Sequence, residues 1–159
     1  MTLSDLTVSF EHQDRAALFS DWQWLVGEHM RPLLLCASGD AFLYNTQHRT
    51  VHFLDVAAGS LKDVAESVDA FQRLLTDKAF VVDHFAVQLV GDLRDAGVAL
   101  KPGQIYSFKH PPVLGGEWLL SNFEATDIAV HFSVAGQLHR QVAALPDGTQ
   151  ITGVEFRRE

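Results

Sequence analysis

The chain has 159 residues, 47% of them hydrophobic and 20% charged, with 20 acidic against 12 basic side chains, a formal net charge of −8 and a single cysteine. That length and composition describe one domain, residues 1–159, able to bury a core without disulfides or metal. The acidic balance counts against nucleic acid as a partner, because such binding draws on Lys and Arg to neutralise phosphates. Cys36, alone in the apolar run Leu33-Leu34-Leu35-Cys36-Ala37, suits a reduced, cytoplasmic protein. No basic segment opens the chain, and no apolar stretch approaches the roughly 18 residues of a membrane span, so neither secretion nor a membrane partner is expected.

Residues 15–30 place Leu18, Trp22, Leu25 and Val26 at helical spacing, with Ser20 or Asp21 as a cap and Arg31-Pro32 as a stop, which predicts a first helix. Residues 33–37, 41–44 and 50–54 then read as three short strands. The brief connections Ser38-Gly39-Asp40 and 45–49 leave room only for an antiparallel meander. Ser60-Leu61-Lys62-Asp63 has the form of a capping box and predicts a helix with Leu61, Val64, Val68, Phe71 and Leu75 on one stripe. A second helix is expected from Lys78 or Phe80 to Ala96, ended by Gly97.

The remainder patterns as β structure again. Residues 104–108 read as a strand, and 128–134 alternate with Ile128, Val130, Phe132 and Val134 on one face. Residues 109–127 form a long connection in which Pro111 and Pro112 restrict the backbone and Gly115 and Gly116 free it. A helical turn near 134–145 and the turn Pro146-Asp147-Gly148 lead to a final strand over 150–156. The expected fold is α+β: a single, mostly antiparallel sheet of about five or six strands with two or three helices packed on one face.

Catalytic and metal chemistry find little support. Of the eight histidines, His48 with His52 and His131 with His139 stand nearest, but His48 falls in a turn and His52 on a strand, so that spacing does not put both on one face, and no HExxH or cysteine pair occurs. Cys36 sits in an apolar strand, Gly-x-Ser-x-Gly is absent, and Gly115-Gly116 lacks the Lys-Ser/Thr tail of a phosphate loop. No catalytic residue, metal or cofactor is therefore assigned, and the expectation is a protein that is not an enzyme.

Binding residues are better represented. Asp40, Asp55, Asp63 and Glu66 either form an anionic patch for a basic partner or serve as turn and cap residues. Trp22 belongs to the apolar stripe of its helix, whereas Trp24 lies on the other side and Trp118 falls in the long connection, so these two are candidates for a contact surface.

Taken in order, several motifs resemble one family. They are Gly39-Asp40-Ala41-Phe42-Leu43, Val51-His52-Phe53-Leu54-Asp55, Gln104-Ile105-Tyr106-Ser107-Phe108-Lys109, Pro111-Pro112-Val113-Leu114-Gly115-Gly116, His131-Phe132-Ser133 and Gly136-Gln137-Leu138-His139-Arg140-Gln141. The chain is similar over residues 22–149 to the bacterial domain, long labelled as of unknown function, that forms the C-terminal part of immunity proteins against type VI secretion DNase effectors. It is more distantly similar to the SUKH immunity proteins. In better-known members a GAD-like domain precedes this one, and the present chain is expected to lack it.

The resemblance implies a cytoplasmic protein that binds and neutralises a cognate toxin with a basic nuclease domain; a homodimer is allowed. A generic interaction or regulatory module of the same fold is the alternative. Candidate partner-binding residues are Trp24, Asp40, Asp55, Glu66, Trp118, Gln137, His139 and Arg140. Pro111, Pro112, Gly115 and Gly116 are read as a structural motif that routes the chain.

Overall fold

Short apolar runs separated by tight turns give the expected meander. In the computed structural model, which describes residues 1–149 with Ile151, Gly153 and Phe156, five strands form one antiparallel sheet. They are β1 (Thr7–Val8), β2 (Met30–Cys36), β3 (Ala41–Asn45), β4 (Val51–Asp55) and β5 (Ser60–Ala65), in spatial order β1-β2-β3-β4-β5. Phe42 stands opposite Phe53 and Leu43 opposite His52, so successive residues of β3 and β4 alternate between the two faces.

Both faces are covered. Leu35, Ala41, Leu43 and Leu54 pack with Trp22, Ile105, Ile128 and Phe132 on one side. Cys36, Phe42, Val51 and Phe53 pack with Phe71, Phe85, Leu93 and Tyr106 on the other. The α+β class and the antiparallel sheet are as expected; the arrangement differs in that helices lie on both faces and a second, two-stranded sheet stands apart. That sheet is the hairpin of β6 (Gln104–Phe108) and β7 (Phe123–Asp127). The helices are α1 (Gln23–Val26), α2 (Val68–Leu74), α3 (Lys78–Phe85), α4 (Val87–Asp95) and α5 (Ile128–Ala143).

Four expected elements change. The first helix shrinks to a 3-10 turn at Ser20–Trp22 and the single turn α1, although Leu18, Trp22 and Val26 are buried as their spacing required. Here tertiary contact outweighs helical propensity. Gly136 of α5 lies so close that a Cβ there would stand 2.6 Å from the Asp21 carbonyl oxygen, and the Trp22 indole N–H donates to the Phe132 carbonyl at 2.8 Å.

Residues 60–65 are a strand rather than a helix start. Leu61 pairs with Leu54 of β4, and α2 is capped by Ser67, whose hydroxyl accepts from the Ala70 N–H at 3.1 Å. The helix expected over 78–96 breaks at Ala86, which takes a left-handed conformation with φ 48° and divides α3 from α4. Residues 128–134 belong to α5, not to a strand. Ile128, His131, Phe132, Leu138 and His139 make its buried stripe, Val130 and Val134 face outward, and the Asp127 carboxylate caps it by accepting from the Val130 N–H at 3.1 Å. The expected strand over 150–156 lies largely outside the described residues.

Candidate functional site

The hairpin β6–β7 carries a long loop, residues 109–122, which its own side chains hold in one shape. Asn122 is the main fastener. Its Oδ1 accepts from the His110 N–H at 2.9 Å, its Nδ2 donates to the carbonyls of His110 at 2.9 Å and Glu117 at 2.8 Å, and its carbonyl accepts from the Lys109 N–H at 2.7 Å. The His110 ring donates through Nε2 to the Leu114 carbonyl at 2.9 Å, which fixes its tautomer when neutral.

Pro112–Leu114 form a 3-10 turn that Gly115 ends with φ 94°, a value side chains rarely adopt. Gly116 is sterically required, because a Cβ there would fall 1.7 Å from the His110 carbonyl oxygen. Pro111, Pro112, Gly115 and Gly116 thus shape this loop.

At the tip, Trp118, Leu119 and Leu120 are 61%, 53% and 42% exposed. Trp118 is held from below, with its ring 4.8 Å from Phe108 in an edge-on contact and 6.0 Å from Phe123. A groove of about 880 Å3 runs between the loop and α5, with Val113, Leu114, Val130 and Val134 on its walls and Ser107 and Glu124 on the hairpin side.

Beneath that groove α5 is bound to the rest of the domain by buried polar contacts. His131 donates through Nε2 to the Gly39 carbonyl at 2.7 Å, so in its neutral form Nδ1 accepts from the Ser107 hydroxyl at 2.9 Å. Burial lowers its pKa to about 4 against the pull of the Gly39 carbonyl, and the ring is uncharged at neutral pH. His139 is also buried, its ring against Gly59 and 5.6 Å from the Trp22 ring. Burial lowers its pKa as well, opposed by a bond to the Val56 backbone and by the Asp55 carboxylate.

Asp40 accepts from the Val56 N–H at 2.9 Å and ties the start of β3 to the end of β4. Burial, followed by the nearby charge of Asp55, pushes its carboxyl up to about 8, against the lowering effect of the Val56 bond.

The residues singled out in the sequence therefore divide by environment. Asp40 and His139 are held inside the domain. Trp24 is half-buried rather than exposed: its ring stacks on Trp22 and its indole N–H donates to the Gly136 carbonyl at 3.2 Å. Gln137 is half-buried on α5, where its side-chain amide donates to the Ser133 hydroxyl at 3.1 Å, and Ser133 in turn donates to Asp21 at 2.6 Å. Asp55 caps the turn after β4 by accepting from the Ala58 N–H at 3.0 Å. Glu66, Trp118 and Arg140 face solvent.

Leu119, Leu120, His110 and Asn122 were not foreseen as site residues. Their signal in the sequence was three large apolar residues in a row inside a loop, followed two positions later by an asparagine able to bond the opposite strand's end. Among the described residues, no three His, Cys, Asp or Glu side chains stand close enough to hold a metal ion, and no helix is long and apolar enough to cross a membrane.

The fold and surface together define an α+β domain that carries a stapled, apolar-tipped hairpin loop beside a groove. Residues 65–139, from the end of β5 to His139 of α5, match the family model for T6SS immunity protein Tdi1, C-terminal. The motif resemblance and this match name the same family. Among solved structures, the crystal structure of Atu4351 from Agrobacterium tumefaciens is similar, with a TM-score of 0.53 and 19% identity over 77% of this chain and 61% of that one. The likeness is one of fold, and this chain spans about three-fifths of that protein's length. No curated protein matches the chain.

Proposed function

We propose that the protein is an immunity-type binding protein that neutralises a cognate type VI secretion effector, a DNase, inside the cytoplasm and without chemistry of its own. The observation that carries this reading is the match of residues 65–139 to the Tdi1 C-terminal family. Two physical features support it. A formal charge of −8 suits a partner whose DNA-cleaving surface must be basic, and opposite potentials speed and orient such an encounter. The matched segment also carries the exposed Trp118, a residue type common at binding hot spots.

Glu66, Trp118 and Arg140 are the residues of the original set retained for the contact surface. Trp24, Asp40, Asp55, Gln137 and His139 are assigned to holding the domain together. The test is co-expression with the effector encoded beside its gene, joined to a direct binding measurement on the purified pair. Protection of the host with a stable complex supports the reading; neither protection nor binding would sink it.

A further inference from the structure

We propose that the loop tip Trp118-Leu119-Leu120 is a preformed plug that seats in an apolar pocket with a Lys- and Arg-bearing rim on the protein partner, and that Asn122, His110 and Gly116 are positioning residues that hold the plug in its bound shape. The proposal rests on the immunity reading above and names the contact within it.

Three observations converge on this tip. Trp118, Leu119 and Leu120 are consecutive, large, apolar and between 42% and 61% exposed, in a chain whose other tryptophans are buried or half-buried. An apolar patch of this kind on a soluble domain marks an interaction site more often than an isolated exposed leucine does.

The loop is also built to stay put. Asn122 makes three side-chain bonds across its neck, to the His110 N–H, the His110 carbonyl and the Glu117 carbonyl. His110 closes the 3-10 turn through Leu114, and Gly116 passes so near the His110 carbonyl that no side chain fits. Phe108 and Phe123, opposite each other in the hairpin register, support the Trp118 ring from below. A loop with this much internal bonding and an apolar tip loses little conformational freedom on docking, which is the source of affinity in a preorganised binder.

Charge selects the partner. Glu117, which immediately precedes the tip, is exposed, Glu124 is exposed on the following strand, and the chain is acidic overall, while Lys109 stands at the foot of the loop. An apolar pocket rimmed by basic side chains complements that set, and the pairing raises the association rate in a salt-dependent way.

The experiment uses the full chain and, as the probe, the inactivated toxin domain of the effector encoded beside its gene. Trp118→Ala and Leu119→Ala are each expected to weaken binding by about 30-fold, the scale of a hot-spot residue. Val82→Ala, at an exposed valine on α3, is expected to stay within about two-fold. Glu117→Lys is expected to lower the association rate and reduce its salt dependence. Asn122→Ala is expected to weaken binding about 10-fold while thermal unfolding shows the domain intact, and to cost nothing further when added to Trp118→Ala, a non-additivity that a purely structural role would not produce.

If the wild-type chain binds the toxin while Trp118→Ala and Leu119→Ala bind within two-fold of it, the plug is wrong and the immunity reading stands. If the wild-type chain neither binds nor protects, both fall. Self-association of the wild-type chain that Trp118→Ala abolishes would also overturn the proposal, since the tip would then be covered by a second copy.

Discussion

The imidazole of His139 lies against Gly59 so closely that a Cβ on that glycine would stand 2.3 Å from Nδ1. The contact joins α5 to the turn between β4 and β5. Gly59 also has φ 66°, so its lack of a side chain answers two demands at once.

Gly59→Ala should therefore destabilise the fold by about 2 kcal/mol or more, from overpacking against a buried ring added to backbone strain. Urea unfolding would measure it. A loss within about 0.5 kcal/mol, the range of ordinary surface changes, would show that the ring can move aside freely.

Two buried groups set opposing pH dependences. Asp40 has its carboxyl raised to about 8 by burial and then by Asp55, so the folded state disfavours its ionised form. Its contribution to stability falls as pH rises from the unfolded carboxyl's value near 4 through 8. His131 is lowered to about 4, so the folded state disfavours its charged form, and stability falls as pH drops from about 6.5 through 4. Between pH 4 and 6.5 the Asp40 and His131 slopes, each at most about 1.4 kcal/mol per pH unit, oppose each other, and His139, also lowered by burial, acts in the same direction as His131. Above 6.5 the Asp40 loss stands alone. Asp40→Asn keeps an oxygen for the Val56 N–H and should remove the decline between pH 6.5 and 8, with melting temperature as the readout. An unchanged decline would place its cause elsewhere.

The outer edge of β5 is defended against pairing with itself. Lys62 and Asp63 are adjacent and exposed in the middle of the strand, so a two-fold antiparallel pairing centred on either puts like charges directly opposite each other, which is unfavourable. Lys62→Val with Asp63→Val should raise the sedimentation mass toward a dimer or aggregate at concentrations where the parent chain shows no such growth. An unaltered mass would mean that something other than charge protects this edge.

Cys36 is fully buried, and burial together with the Asp40 charge pushes its thiol well above the ordinary range. Under native conditions it should resist iodoacetamide for hours and react within minutes once urea unfolds the chain. Rapid labelling of the folded protein would show that β2 opens locally.

Strands β2 to β4 were legible in sequence because each is a short apolar run bounded by turn residues, and β6 for the same reason. The region over 128–134 was not, although the helical turn expected near 134–145 falls within the second half of α5. Ile128, Val130, Phe132 and Val134 alternate as a strand would, yet Ile128, Phe132, Leu138 and His139 also fit a helical stripe, and the Asp127 cap decides between them. The proposed contact surface was legible in part. Trp118 stands out as an exposed aromatic in a loop, whereas nothing local in Trp24 reports that its indole would reach the carbonyl of Gly136, 112 positions later in the chain.

Composition and local pattern by themselves determined an acidic α+β domain, its antiparallel meander, and motifs that resemble those of an immunity-protein family, since these depend on neighbouring residues and turn chemistry. Only the tertiary structure decided which polar residues face solvent. Asp40, Asp55 and Glu66 are alike as sequence, but a distant N–H from Val56 and burial take Asp40 inside while Glu66 stays in water. Long-range packing makes that distinction, because the free energy of a polar side chain depends on the partners that folding brings to it.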